Sequence, residues 1–179
     1  KYIYPKTKMI DGDITKKSIK KEIIDSSISK KINCIIATPP CQGMSVAGNL
    51  NPLDKRNQLI TYTIEIIKEI KPKFIFLENV PAQLTTKIEY KGKIILIPDF
   101  IRKELQSLYN FNEQVLVKTM DYEIPQMRKR NIFLLTRKDL NFNWNFPSKK
   151  KKIITLKDAL EKVPSLDPLL REGYDETVN

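Results

Sequence analysis

Cys34-Ile35-Ile36-Ala37-Thr38-Pro39-Pro40-Cys41-Gln42-Gly43 is the stretch around which the rest of the chain can be read. The apolar run reads as a buried strand from Cys34 to Thr38, followed by two prolines and a thiol. Proline fixes φ and removes a backbone donor, and it pushes the residue before it toward extended conformations. The backbone leading into Cys41 is therefore restricted, as the aim of a nucleophile requires. In open α/β sheets, ligands and catalytic groups collect at the carboxyl ends of strands. Cys34, inside the apolar run, reads by contrast as a small, inert, buried hydrophobe.

Outward from this point, strand-like and helix-like patterns alternate. Lys8-Met9-Ile10 reads as a strand running into the turn Asp11-Gly12-Asp13. Residues from about 56 to 70 read as a helix, with Leu59, Ile60, Thr63, Ile64, Ile67 and Ile70 on one stripe, stopped by Lys71-Pro72. Phe74-Ile75-Phe76-Leu77 reads as a second buried strand. A helix over about 99–108 turns Leu105 and Leu108 inward, and strands follow over 113–119 and 131–135, the last two forming a hairpin-like end. This order argues for a mostly parallel α/β sheet. Beyond Asn141 the character changes: Lys149 to Lys152 is a charge run, Thr155-Leu156-Lys157-Asp158 resembles a capping box opening a short helix, and the tail has no clear period. The expected division is 1–148 as a catalytic domain, and 149–179 as a linker leading elsewhere.

Composition narrows the chemistry. The chain has 179 residues, 41% of them apolar, enough for one sizeable core. It holds no run of about 18 apolar residues and no signal peptide at its start, so no membrane span is expected. Two cysteines without secretory features imply reduced thiols in the cytoplasm. There is no histidine, which excludes Ser-His-Asp and Cys-His catalysis and the His-bearing zinc site of base deaminases. No metal site is expected. A net charge of +11 favours an anionic partner such as nucleic acid, although a lysine-rich, isoleucine-rich composition also follows from an A/T-biased coding sequence.

Four features lie at strand ends: Gly12-Asp13-Ile14, Pro39-Pro40-Cys41-Gln42, Glu78-Asn79-Val80 and Gln126-Met127-Arg128-Lys129-Arg130. Singly, each has an ordinary reading: a turn aspartate, a surface carboxylate, a solvated basic edge. Together they bring a thiol, a carboxylate and two guanidiniums to one rim. In this order and spacing they resemble the C5-cytosine DNA methyltransferases, most of all the bacterial modification enzymes. The likeness runs from about residue 8 to 146.

That resemblance implies a Rossmann-like α/β sheet that binds S-adenosylmethionine and acts on double-stranded DNA with the target cytosine flipped out. It implies Cys41 as the nucleophile toward C6, Glu78 at N3 and the exocyclic amine, Arg130 near O2, and Arg128 supporting the same loop. Asp13 and Ile14 match the adenine site, with Pro40 and Leu59 along the cofactor. Gln42, Ser45 and Asn79 match substrate-side contacts. Family features are missing at both ends: the Phe-x-Gly-x-Gly loop and the acidic residue after the second strand at one, the target-recognition region and the two closing motifs at the other. The five glycines (Gly12, Gly43, Gly48, Gly92, Gly173) form no such loop.

The sheet is accordingly expected to be incomplete, lacking its first two strands. The chain, which also lacks an initiator Met, is expected to be part of a larger enzyme completed by missing segments or a second chain, and inactive alone. Three other readings stay open. One is the tRNA-cytosine branch with the same motifs, and another is a non-catalytic nucleic-acid-binding remnant. Thymidylate-synthase-like chemistry is disfavoured, because a histidine usually follows its cysteine.

Overall fold

The computed structural model describes residues 7–40, 42–44, 52–112 and 116–161. The chain divides into two compact units, Lys1–Val117 with Lys129–Ser148, and Lys118–Arg128 with Lys149–Asn179. Along the first unit run α1 (Lys17–Ser29), β1 (Cys34–Ala37), α2 (Leu59–Ile70), β2 (Phe74–Asn79), β3 (Lys87–Tyr90), β4 (Lys93–Leu96), α3 (Ile97–Leu105) and β5 (Tyr109–Phe111). Strand β6 (Leu116–Lys118) and strand β7 (Lys129–Arg137) follow. The main sheet has the order β1-β2-β7-β5, with β6 also pairing with β7, and β3 and β4 form a separate hairpin.

The sheet is mixed rather than mostly parallel. β1 pairs with β2 in parallel, whereas β2 with β7 and β5 with β7 are antiparallel. The expected hairpin-like end is present as β6 beside β7. The α/β class stands, and so do the strand Phe74–Asn79, the helix before it and the helix that begins at Ile97.

One face of the sheet carries the core. Ile75 and Leu77 of β2 and Phe133 and Leu135 of β7 point to it, where they meet Ile60, Ile64 and Ile67 of α2 and Phe100, Ile101 and Leu105 of α3. Each buried residue of this size contributes about 1.5–3 kcal/mol. Helix α2 ends as its sequence requires: Lys71 takes φ 51°, its N–H donates to Ile67 O, and Pro72 cannot continue the helix. Tyr109 is fully buried, and its hydroxyl donates to Pro72 O at 2.9 Å. Burial pushes its phenol up to about 12. On the opposite face, Phe74 meets Phe142 and Trp144 edge-on, at 6.0 and 5.8 Å between ring centroids.

Two strand expectations need correction. Lys8-Met9-Ile10 forms no strand, and Met9 is 80% exposed. A strand exists only where a neighbour takes up its backbone groups, and none pairs with this segment among the described residues. β1 is present but not buried: Cys34 is exposed and Ile36 is 71% exposed. Among the described residues β1 pairs only with β2, and its face bearing Cys34 and Ile36, which read as interior, lies exposed. Helix α1, the β3–β4 hairpin and β5 add to what the sequence suggested. The hairpin turns through Lys91 and Gly92, with φ values of 52° and 73°, the double positive φ that suits a two-residue turn.

The second unit contains α4 (Leu156–Leu160), capped as the sequence proposes. Asp158 N–H donates to the Thr155 hydroxyl, and Thr155 N–H donates to the Asp158 carboxylate. Elsewhere in this unit the Asp121 carboxylate pairs with Lys149, and its backbone oxygen accepts from Lys150 N–H.

Glu104 ties α3 to its neighbours, accepting from Lys68 of α2 and from the Tyr90 hydroxyl of β3. The Lys68 ammonium, followed by the Tyr90 hydroxyl, holds its carboxyl below the usual glutamate range. A carboxyl depressed in the folded state adds stability above its unfolded pKa, and that contribution is lost as pH falls through the folded one. Urea-unfolding midpoints between pH 6 and pH 3 are therefore expected to fall less steeply for Glu104→Gln than for the native chain. At pH 7 the variant should lose about 1 kcal/mol.

Candidate active site

The carboxyl end of β2 organises the site. Side chains along β2 alternate, so Glu78 points to one face and Asn79 to the other. Glu78 stands opposite Ile132 on β7, which puts Arg130, two residues away, diagonally across on the same face. Arg130 Nε lies 2.8 Å from Glu78 Oε1, and both side chains are about three-quarters covered, at 23% and 25% exposure. Arg130 also donates through Nη1 to Lys129 O at 2.7 Å. The pairing fixes a guanidinium and a carboxylate side by side, each with donor or acceptor positions left for a third group.

Asn79 turns inward instead of toward a substrate. It is 4% exposed, and both ends of its amide bond to backbone. Nδ2 donates to Pro39 O at 2.9 Å, and Oδ1 accepts from Val80 N–H at 2.8 Å. The strand end that bears Glu78 thus holds the backbone two residues before Cys41. Beneath it lies a buried polar layer, in which Asn131 Nδ2 donates to Gln83 Oε1 at 2.6 Å.

Cys41 and Ser45 lie outside the described residues, as does the side chain of Gln42. The backbone from Gln42 to Met44 forms a short 3₁₀ turn. Arg128 belongs to the second unit and is exposed; its backbone N–H donates to the Thr119 hydroxyl, and its carbonyl accepts from Thr119 N–H. Cys34 is also exposed, and partial desolvation raises its thiol above the ordinary range, which lowers its thiolate fraction.

Three of the four residues expected at a cofactor share one cleft. Ile14, Pro40 and Leu59 line a space of about 340 Å³ with Ile23, Ile35 and Ile67. Its walls are mostly aliphatic, as one flat apolar ring system would need. Asp13, the fourth, precedes Ile14. Its Oδ1 accepts from Thr15 N–H at 2.9 Å, and that bond holds the carboxyl below its usual range. Asp13 is thus a stable acceptor at neutral pH. Such a cleft can take a flat apolar ring, and an ionised carboxylate one residue before Ile14 can accept from a donor carried on it.

The family model described as C-5 cytosine-specific DNA methylase matches residues 1–177. The chain belongs to this family. It is 36% identical over 170 residues to the Type II methyltransferase M1.HgaI of Avibacterium volantium, covering 92% of this chain and 46% of that protein. It is 35% identical over 166 residues to M.NgoPII of Neisseria gonorrhoeae, covering 88% and 44%. Among solved structures, one described as a DNA modification methyltransferase encoded within an E. coli prophage aligns with TM-score 0.66 and 28% identity, over 91% of this chain and 44% of that one. A DNMT2 mutant from Spodoptera frugiperda shares the fold at TM-score 0.56 and 19% identity, over 97% and 48%. The chain spans about half the length of the curated relatives it matches.

Sequence reasoning passed over Asn57, which is fully buried and donates through Nδ2 to Gly43 O at 3.3 Å. Its signal was the polar run Asp54-Lys55-Arg56-Asn57 ahead of α2, which reads locally as a helix start. Asn79→Ala should lower the unfolding free energy of the methylase chain by about 1–3 kcal/mol, because the half-buried Pro39 carbonyl and Val80 N–H lose their partner. Chemical denaturation monitored at Trp144 measures this, and an unchanged midpoint would contradict the bridging role.

Proposed function

We propose that this chain carries the nucleophile of a cytosine-C5 methyl transfer to DNA in a restriction-modification system, with Cys41 forming a covalent bond to C6. The observation that supports this most is the Glu78–Arg130 pair, held at the strand end whose next residue, Asn79, grips the backbone at Pro39.

Cytosine C5 is a weak nucleophile, and the residues answer that problem in order. The Cys41 thiolate adds to C6, so the ring gains an electron pair and C5 takes on enamine character. Glu78, in its protonated form, donates to N3 while its other oxygen accepts from the exocyclic amine, and that proton offsets the charge the ring acquires as sulfur attacks. Arg130 holds Glu78 in place and bonds the base carbonyl O2, while Arg128 supports the same loop. When bound, S-adenosylmethionine supplies the electrophilic methyl group; Asp13 and Ile14 hold its adenine end, and Pro40 and Leu59 lie along it on the other side. Loss of the C5 proton and departure of Cys41 restore aromaticity and release 5-methylcytosine. With no histidine in the chain, thiol activation rests on local positive potential or on a base at the DNA.

The target cytosine has to leave the stack to reach Cys41, because C6 is not accessible to a thiol inside a duplex. Gln42 and Ser45 contact the DNA around the flipped nucleotide. The net charge of +11 suits a phosphate-rich partner. The Type II names of the relatives support the restriction-modification setting, and such an enzyme works on cytoplasmic DNA. Catalysis belongs to the assembled protein, with segments on this chain or another supplying the remaining length, and the isolated chain is inactive.

Covalent capture on DNA containing 5-fluorocytosine tests this, using the full-length protein or this chain with complementing segments supplied. After methyl transfer the adduct with the fluorinated base persists, because fluorine replaces the C5 proton whose loss would expel Cys41. Cys41→Ala should abolish the trapped species, and Cys34→Ala should leave it intact. Loss of capture with Cys34→Ala alone would reassign the nucleophile, and capture on 5-fluorocytosine RNA but not DNA would reassign the substrate. Calorimetry with S-adenosylmethionine is expected to show binding, and no heat from the assembled protein would favour a non-catalytic remnant.

A further inference from the structure

Buried amides grip the backbone on both sides of Cys41. Asn79 Nδ2 donates to Pro39 O at 2.9 Å, and Asn57 Nδ2 donates to Gly43 O at 3.3 Å. Pro39 and Gly43 stand two residues before and two residues after the cysteine. The amides come from different elements, since Asn79 ends β2 and Asn57 lies immediately before Gln58, the N-cap of α2. The end of β2 and the turn before α2 therefore hold the backbone at Pro39 and at Gly43.

The Gly43 contact is close. A Cβ at that position would lie 2.5 Å from Asn57 Oδ1 and 2.9 Å from Asp54 Oδ2, distances that real Cβ atoms do not reach. Glycine is needed there because the loop presses against the Asp54–Asn57 turn. That turn is itself braced: Asn57 N–H donates to Asp54 O at 3.0 Å, and the Asp54 carboxylate accepts from Arg56 Nε, Nη2 and backbone N–H at 3.0, 2.7 and 2.9 Å. Asn57 also carries a cost. Its Oδ1 is buried without a hydrogen-bond partner among the described residues, a feature that native interiors seldom tolerate without a role for the group.

We propose that Asn57 is a positioning residue for the methyl transfer, acting with Asn79 as a two-point clamp that sets where the Cys41 sulfur can lie. The inference rests on Cys41 being the nucleophile. A carboxamide suits the task because it donates without bringing an ionisable group to the nucleophile loop. Prolines 39 and 40 stiffen one side of the loop, and the close Gly43–Asn57 contact limits the other. Displacing a reacting atom by about 1 Å can cost about 100-fold in rate, so a clamp acting only on backbone still controls chemistry.

Single-turnover capture on 5-fluorocytosine DNA, in the full-length protein, tests the clamp. Asn57→Ala should slow capture by about 10- to 100-fold while Kd for DNA and for S-adenosylmethionine changes less than about twofold. Asn57→Asp, of the same volume but without the donor, should show the same loss. Gly43→Ala disturbs the contact from the loop side and carries the test if Asn57→Ala does not fold. The double variant should be no slower than the worse single, because both substitutions break one contact. Capture by Asn57→Ala at the native rate, or slowed only in proportion to weaker DNA binding, would overturn the clamp while leaving Cys41 as nucleophile. No capture by the native protein would overturn both.

Discussion

Everything at the site depends on the antiparallel register between β2 and β7. Phe74 stands against Thr136 and Asn79 against Asn131, so the ladder runs the full length of β2. Side chains in a sheet alternate with period two, and a shift of one residue would reverse every one of them. In the observed register Ile75, Leu77, Phe133 and Leu135 fall on the helix-covered face together. The same register sends Glu78 and Arg130 to the other face at a separation that closes an ion pair. Core packing and site geometry are therefore one constraint. Burial of the aliphatic ladder holds the charged pair in place, and the pair need add little stability of its own.

The strand end serves two faces at once. Glu78 and Asn79 are neighbours in sequence but point in opposite directions: one toward the reacting base in the proposed reaction, the other into the interior where it reaches Pro39. Three adjacent residues thus supply a carboxylate, an anchor for the backbone at Pro39 and, at Val80, the N–H that orients the anchoring amide.

Much of this was legible in the sequence, for physical reasons that can be named. The Phe74–Leu77 run and the 3.6-residue stripe of α2 are strong periodic signals, and the Thr155–Asp158 cap is a local motif whose bonds form within four residues. Other elements left no such trace. Helix α1 buries none of its residues, so its lysine-rich sequence shows little apolar face. The β3–β4 turn uses Lys91-Gly92 in place of a stronger Asn-Gly signal, and Lys91 bears a positive φ that sequence alone does not advertise. The exposure of β1 was misread because an apolar run reports what a strand can bury, not whether anything covers it. Asn57 was invisible for a related reason: its partner, Gly43, is a long-range contact that only the fold creates.

The uncovered strand β1 also governs how the chain behaves in solution. Cys34-Ile35-Ile36-Ala37 has β2 on one side, no pairing strand on the other among the described residues, and no charged residue within it. An apolar, uncharged edge is a template for lateral strand addition by another copy of the same chain, the first step of aggregation. Opposing this is the mutual repulsion of molecules carrying +11 charges, which acts over about 10 Å at 0.1 M salt and about 3 Å at 1 M. Colloidal stability of the isolated chain is thus a contest between a short-range sticky edge and a screened long-range charge, and ionic strength decides it. Dilute buffer keeps the edges apart, and concentrated salt brings them together.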